Sequence, residues 1–430
     1  MNSRFLNRFL IVAFVLTAAS TLRGQSTTSG QANSADELKF VVIISRHGVR
    51  SPTGKTDQLN PFSAQPWPVW KVPPGYLTER GAKLMTIFGA YDRELLVKQG
   101  LLSHDDCADA ERVTILADSD QRTRETGKAM AAGLMPGCNL IVHALAEGTP
   151  DPLFHPLAAG DVHPDRQLAT AALTGRIGDN PSGLIEAYRT QLQQLEEVLA
   201  GTDAPPKMSL FNIPSSVAPG KGDHLVDLRS PLSTAATMVE NLLLEYADGT
   251  PQVGWGRVDE NKLRALMQLH TASADLERWT PYIARAQSAP ILGAVLGSMQ
   301  QAVSQTATAS ALGRKSDRLL ILVGHDTNLT NISGAFGLSW LIDGRRDDTP
   351  PGGALVFELW QNGATSKYSV RLFYTAQTLD QMRNVTPLTL ENPPERVPVF
   401  VPGCSRADGS CDWSAFQSLV HATISTDRTR

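Results

Sequence analysis

The chain has 430 residues, of which 42% are hydrophobic and 19% are charged. This length suggests two domains, or one domain with a large insertion, and the apolar fraction argues against a disordered chain. The formal net charge of −4 excludes the dense basic surface of a nucleic-acid-binding protein, so a bound anion must be held by a local cluster of arginines.

The N-terminus has the organisation of a secretory signal peptide. Arg4 and Arg8 precede an apolar stretch, 9–19, that is too short to span a bilayer unaided. We expect a signal peptide over 1–24, a flexible lead-in over 25–37, and a periplasmic or secreted protein. An uncleaved membrane anchor is the alternative. No later stretch is apolar enough to be a transmembrane helix, so we expect no membrane contact after signal cleavage.

Three runs of apolar residues, 38–45, 113–117 and 318–324, have the pattern of parallel strands buried on both faces. Two further segments, 355–360 and 368–374, alternate between apolar and polar residues and are expected to be outer strands. Helical patterns lie between the strands. The sequence therefore predicts an α/β fold with a mostly parallel central sheet and helices on both faces.

The middle of the chain lacks strong strand signals. Apolar residues recur at helical spacing over 181–200, and Ser230 with Pro231 has the pattern of an N-cap followed by a first helical residue. Segments 262–276 and 289–303 are also helical in pattern. We therefore predict an all-helical insertion. The predicted boundaries are 165–300 for this insertion and 38–164 with 301–430 for the α/β domain.

Four cysteines occur in the chain: Cys107, Cys138, Cys404 and Cys411. An even count in an exported chain suggests disulfides, for which three connectivities exist. We favour Cys107–Cys138 and Cys404–Cys411. A zinc site would need closer pairs such as Cys-x-x-Cys, and the sequence contains none.

Polar motifs follow the three buried strands at their carboxyl ends. The first strand runs into RHGVRSP at 46–52, the second runs into a segment that includes DQRTRETG at 120–127, and the third runs into HD at 325–326. Ligands of open α/β sheets bind at this edge, and guanidinium groups make paired hydrogen bonds to phosphate. If the strands are neighbours, the motifs form one anion site.

Each motif taken alone has a structural interpretation. A histidine at a strand end is more often structural than catalytic, Arg122 could begin a solvated helix, and 325–326 could form a turn. Their joint occurrence at three strand ends favours a site. Within it, Arg46 and Arg50 flank His47, and like-charge repulsion favours the neutral imidazole, which is the nucleophilic form.

These motifs resemble the signatures of the histidine acid phosphatases, a branch of the histidine phosphatase superfamily that includes bacterial periplasmic phytases. The Arg-His-Gly-x-Arg-x-Pro signature is intact at 46–52, the His-Asp signature is intact at 325–326, and 120–127 is similar to the family's intermediate phosphate-binding segment. The resemblance implies a secreted acid phosphatase that hydrolyses phosphomonoesters through a phosphohistidine, with no metal and no other cofactor.

The resemblance also implies a role for each residue of the site. His47 would be the nucleophile, and Asp326 would protonate the leaving oxygen and then activate water. The residues expected to bind phosphate are Arg46, Arg50, Arg122 and His325. Thr53 and Lys55 are a candidate substrate rim. In phytase-like members the threonine is followed directly by lysine, whereas Gly54 separates the two residues here.

The predicted partner is a small-molecule phosphomonoester, with phytate (myo-inositol hexakisphosphate) as the expected substrate. A broad-specificity or sugar-phosphate acid phosphatase, similar to glucose-1-phosphatase, is the alternative within the class. A non-catalytic phosphate-binding protein and a metal-dependent phosphatase are the alternatives outside it. A monomer is favoured. The remaining histidines are expected to be surface or packing residues: His104, His143, His155, His163, His224, His270 and His421.

Overall fold

The computed structural model describes residues 36–105, 107–201 and 206–425. The predicted signal peptide, 1–24, and most of the predicted lead-in lie outside these residues. Within the described part of the chain, no helix is both long enough and apolar enough to cross a membrane.

The strands form one large sheet and two short hairpins, and helices connect most of the strands of the sheet. The strands are β1 (Glu37–Arg46), β2 (Val113–Ala117), β3 (Val142–His143), β4 (Ser216–Pro219), β5 (Val226–Arg229), β6 (Leu319–Gly324), β7 (Leu341–Ile342), β8 (Arg345–Arg346), β9 (Ala354–Gln361), β10 (Tyr368–Ala376), β11 (Glu395–Pro398) and β12 (Cys411–Asp412). The α-helices are α1 (Glu79–Lys98), α2 (Gln121–Leu134), α3 (Pro156–Ala159), α4 (Arg166–Arg176), α5 (Gly183–Ala187), α6 (Arg189–Ala200), α7 (Pro231–Ala247), α8 (Glu260–Arg278), α9 (Pro281–Ser304), α10 (Asp326–Phe336), α11 (Leu379–Asn384) and α12 (Trp413–Ser425).

The large sheet has the order β11-β10-β9-β1-β6-β2-β3, with β12 paired to β10. The pairs between β1, β6, β2 and β3 are parallel, whereas β9, β10 and β11 are antiparallel. The α/β class is confirmed, but the sheet is mixed where the sequence predicted a mostly parallel one. Only a short segment, 362–367, joins β9 to β10, and a connection of this length requires an antiparallel pair.

Strand β1 lies inside the sheet and contributes side chains to two separate cores. Phe40, Val42 and Ile44 pack against α9, α10 and α12 on one face. Val41 and Ile43 pack against α1 and α2 on the other face. Alternate residues of a strand point to opposite faces, so a strand covered on both sides must be apolar throughout. Helices therefore cover both faces, as predicted, and the sheet is a firm support for the loops at its carboxyl edge.

The segment between β3 and β6 is mainly helical and also contains the hairpin β4–β5. Helix α7 begins as predicted, because the Ser230 side chain accepts a hydrogen bond from the Ser233 backbone N–H and Pro231 is the first helical residue. The helical pattern over 181–200 is divided at Tyr188 into α5 and α6. Helix α9 packs on the sheet, although it overlaps the predicted insertion. The domain boundaries themselves stay a prediction.

The structure contains two disulfides, with the pairing favoured from the sequence. Cys107–Cys138 joins the segment before β2 to the segment after α2, and Cys404–Cys411 closes a short loop at the start of β12. The described residues include no free cysteine.

Candidate active site

Three strand ends meet at one edge of the sheet. In the registers of the two parallel pairs, Ser45 of β1 and Ala117 of β2 both align with Val323 of β6. The three neighbouring strands therefore end at the same level. This places the motifs at 46–52, 120–127 and 325–326 next to one another, as the sequence analysis required.

His47 is held firmly directly after β1. Its side chain is only 1% exposed, and its backbone N–H donates to the Gly324 carbonyl at 2.9 Å. Nδ1 lies 2.8 Å from the Gly48 carbonyl oxygen, which can only accept, so Nδ1 carries the proton. In the neutral ring, Nε2 is then the unprotonated nitrogen. Residue 48 must be glycine, because a Cβ there would lie 2.8 Å from the Met85 side chain and 3.1 Å from the Gly81 carbonyl oxygen.

The surroundings of His47 favour the neutral imidazole. Burial, followed by the positive charges of Arg122, Arg50 and Arg46, holds the pKa of His47 well below its usual range. The repulsion that the sequence predicted from the flanking arginines thus adds to a larger contribution from burial. The ring is therefore neutral more readily than an exposed imidazole.

Glu240 of α7 neutralises part of the arginine charge. It forms an ion pair with Arg46, and its Oε1 lies 3.6 Å from Nη2 of Arg50. Arg46 also donates from Nη1 to the Thr349 carbonyl at 2.5 Å. His270 Nε2 lies 3.9 Å from the other Glu240 oxygen. The Nε atoms of Arg46 and Arg50 are buried and make no hydrogen bond to any described residue, so each guanidinium group keeps a donor for a further acceptor.

His325 connects the second and third strand ends. Its Nε2 lies 2.8 Å from Asp118 Oδ2, and its Nδ1 lies 3.4 Å from Arg122 Nη2. Because the carboxylate only accepts, Nε2 carries a proton and Nδ1 faces the arginine. The ring centroid of His325 is 5.6 Å from that of His47. Asn328 accepts from the His325 backbone N–H at 2.9 Å, which fixes the start of α10. The two histidines and Arg122 thus surround one space.

Asp326 is the first residue of α10, and its Oδ2 lies 2.8 Å from Arg278 Nη1. Burial alone would raise the pKa of this carboxyl. Arg46, Arg278 and His270 outweigh burial and hold the pKa well below its usual range. These positive charges therefore favour the ionised carboxylate of Asp326.

A cavity of about 590 Å³ opens between this edge of the sheet and helices α7 and α8. The predicted rim residues Thr53 and Lys55 line it, together with Asp326. Arg46, His47 and His325 are between 1% and 4% exposed. Other polar residues that line the cavity are Arg50, His224, Asp227, Arg229, Glu240, His270, Glu277 and Arg278. Helices from the middle of the chain thus form one wall of the cavity.

Comparison with known proteins identifies the family. The sequence model described as "Histidine phosphatase superfamily (branch 2)" matches residues 37–375. The chain belongs to this superfamily. The predicted resemblance is confirmed, and the enzyme is a phosphatase, a hydrolase of phosphoric monoesters.

The relatives of this histidine phosphatase include proteins named phytase and proteins named glucose-1-phosphatase. Phytase AppA of Escherichia coli is 36% identical over 430 residues, which cover 95% of this chain and 98% of the relative. A glucose-1-phosphatase of Salmonella typhimurium is 28% identical over 422 residues, which cover 95% of this chain and 97% of the relative. Among solved structures, the apo form of Hafnia alvei phytase has a TM-score of 0.85 and 38% identity, and covers 91% of this chain and 98% of its own. The same phytase in complex with myo-inositol hexakis sulphate has a TM-score of 0.84.

Sequence reasoning missed several residues that contact the motifs of this phosphatase. Glu240, Arg278 and His270 come from α7 and α8, where nothing in the local pattern distinguishes them from other helix residues. Three histidines interpreted as surface or packing residues were assigned wrongly: His224 and His270 line the cavity, and His155 lies 3.3 Å from Asp118. Asp118 directly follows β2, and this position at a strand end is the sequence feature that could have identified it as a site residue.

Asp118, Asp120, His155 and His325 bring their ligand atoms within 4.8 Å of one another. Three of the four also contact a group outside the cluster, because His155 contacts Asp223 and both Asp120 and His325 contact Arg122. Asp118 accepts from two histidines, and Asp120 forms a 2.5 Å ion pair with Arg122. Because these carboxylates are engaged by imidazole and guanidinium groups, we assign no metal to the cluster.

Proposed function

We propose that this histidine phosphatase hydrolyses phosphate monoesters through a covalent phosphohistidine on His47, and that phytate is its substrate. The observation that carries the proposal is the state of His47. The ring is buried, neutral, and held at Nδ1 by the Gly48 carbonyl. A nitrogen lone pair next to a group of arginines is the arrangement that nucleophilic attack on a phosphate requires.

In the first step, the guanidinium groups of the site and His325 hold the phosphate. The groups proposed to bind it are Arg46, Arg50, Arg122 and His325. Nε2 of His47 attacks phosphorus, a P–N bond forms, and the P–O bond to the alcohol breaks with its electron pair on oxygen. Asp326 donates a proton to that oxygen.

In the second step, Asp326 acts as a base. It takes a proton from water, the water oxygen attacks phosphorus, and the P–N bond breaks, which returns neutral His47 and releases inorganic phosphate. Asp326 regains its proton in this step, so the acid and base roles balance over one turnover.

The first step requires a protonated Asp326, whereas Arg46 and Arg278 favour the carboxylate. A bound phosphate changes this balance. Its negative charge offsets the positive charge of the same arginines and therefore raises the proton affinity of Asp326. The proton must therefore arrive with the substrate or after it binds. This requirement favours activity at acid pH.

The choice of phytate rests on similarity and on the cavity. The phytases of Escherichia coli and Hafnia alvei are 36% and 38% identical to this chain. The cavity is about 590 Å³ in volume, and its lining includes Lys55, Arg229 and Arg278, which could contact phosphates other than the one that reacts. Gly54 displaces Lys55 by one position relative to phytase-like members. The relatives named glucose-1-phosphatase therefore make a sugar phosphate the second candidate.

We also propose that the protein is exported and acts as a monomer on a small soluble substrate. The two disulfides support export, because such bonds persist in oxidising compartments.

A substrate panel tests the choice of substrate. We expect kcat/KM near pH 5 to be higher for phytate than for glucose 1-phosphate or p-nitrophenyl phosphate. Lys55→Ala should reduce the advantage of phytate without reducing activity on p-nitrophenyl phosphate. If phytate is by far the poorest of the three substrates, the proposal of a phytase is wrong and the sugar-phosphate alternative replaces it.

A further inference from the structure

A second histidine lies behind the phosphate-binding histidine. Asp118 Oδ2 lies 2.8 Å from His325 Nε2 and 3.3 Å from His155 Nε2, so one carboxylate oxygen accepts from both rings. The two ring centroids are 4.9 Å apart. On its other side, His155 Nδ1 lies 2.6 Å from Asp223 Oδ2. The order of groups is therefore Asp223, His155, Asp118, His325.

Both nitrogens of His155 face carboxylate oxygens, which only accept hydrogen bonds. Both nitrogens must then be protonated, and the ring is an imidazolium. Burial lowers the pKa of His155, but Asp118 and Asp223 outweigh burial and raise it to about 10. The side chain is 25% exposed, whereas Asp118 is fully buried. His155 is thus a cation throughout the acid and neutral range.

His155 and His325 compete for the same negative charge. Burial lowers the pKa of His325, Asp118 raises it, and Arg122 and His155 lower it again. The charged or titratable groups that face this pair from the surrounding elements are Asp118, Asp120, Arg122, Asp151, Asp223 and the neutral His47. Arg122 is the cation in this list, and among the described residues His155 is the cation that shares the Asp118 oxygen with His325.

We propose that His155 is a positioning residue that acts through Asp118 to restrict the phosphatase to acid pH. The inference rests on the proposed function, in which His325 binds phosphate. His325 can donate from Nδ1 to a phosphate oxygen only when that nitrogen is protonated, and with Nε2–H engaged by Asp118 this requires the imidazolium. The positive charge of His155 offsets part of the negative charge of Asp118, so the imidazolium of His325 is harder to form. His325 therefore stops binding phosphate at a lower pH than it would if residue 155 were neutral.

The test compares His155→Asn, which removes the charge, with His155→Lys, which retains a cation. The readouts are the pH profile of kcat/KM on p-nitrophenyl phosphate and that of the inhibition constant of inorganic phosphate. For His155→Asn we expect the alkaline limb of both profiles to move to higher pH by about half a unit or more. This is the shift expected when a unit charge on His155 no longer repels one on His325, whose ring centroid is 4.9 Å away, in a water-like medium. The alkaline limb of His155→Lys should stay close to that of the wild type.

The control is His143→Asn, because His143 is an exposed histidine on β3. It should leave both profiles unchanged. The ionisation of the substrate itself is common to all variants and cancels in the comparison. If His155→Asn leaves the alkaline limb in place, or if His155→Lys moves it as far as His155→Asn does, the inference is overturned.

A second variant covers the case in which His155→Asn fails to fold. His155→Gln removes the same charge with a side chain that is one methylene longer and can still hydrogen-bond to Asp118 or Asp223. It should move the alkaline limb in the same direction, and an unchanged limb would contradict the inference. Failure of the proposed function is visible separately. In that case the wild type would show no competitive inhibition by phosphate, or His325→Ala would bind phosphate as tightly as the wild type.

Discussion

Asp326→Asn separates the two chemical roles proposed for Asp326. Asparagine has nearly the same shape, and its side-chain oxygen can still accept from Arg278 Nη1, which lies 2.8 Å from the carboxylate in the native site. The substitution therefore preserves the start of α10. An amide cannot donate a proton to a departing alkoxide, and general acids typically contribute about 10²–10⁴-fold to a rate.

We expect kcat/KM of Asp326→Asn for an alkyl phosphate such as glycerol 2-phosphate to fall by about 10²–10⁴-fold. The loss for p-nitrophenyl phosphate should be far smaller, because nitrophenolate leaves without a proton. The variant has also lost the base for the second step, so the phosphoenzyme should accumulate. Stopped-flow mixing with p-nitrophenyl phosphate should show a burst of nitrophenolate followed by a slow steady state.

Arg278→Gln serves as the matched control, since it removes the same ion pair and keeps the carboxyl. Because Arg278 lowers the pKa of Asp326, its removal favours the protonated acid, and this variant should not lose activity on the alkyl ester selectively. Equal losses on both substrates in Asp326→Asn, with no burst, would refute the role of Asp326 as proton donor and leave it a role in positioning.

The remaining predictions concern the nucleophile, metal ions and the disulfides. His47→Ala should abolish turnover, and acid-quench labelling should find acid-labile phosphate on the wild type alone; a fully active variant would disprove the phosphohistidine. Activity should survive EDTA, because arginine and histidine supply the positive charge, and a loss that added metal restores would contradict this. Replacing Cys107 and Cys138 by serine opens a link across 31 positions and should lower the free energy of unfolding by about 2–4 kcal/mol in urea titrations. Free thiols at these positions in the exported protein would argue against the bond.

Local patterns in the sequence were sufficient to predict the central strands. The runs 38–45 and 318–324 became β1 and β6, and 113–117 became β2 without a change of bounds. Burial on both faces forces a strand to be apolar at every position, and this property is visible in a single segment. The motifs at the strand ends are contiguous in sequence, so His47 and His325 could be identified before any contact was known.

The antiparallel half of the sheet and the second layer of the site were decided by tertiary structure. Alternation in 355–360 and 368–374 predicted strands but not their direction. Glu240 reaches Arg46 across 194 positions of sequence, and its helix has the same local pattern with or without that contact. His155 Nε2 lies 3.3 Å from Asp118 Oδ2, although the segment that contains β3 separates the two residues in the sequence. A single sequence records which residues can be buried or charged. Which distant charges meet depends on the packing of the chain, and in this protein that packing determines the ionisation of His47, Asp326 and His155.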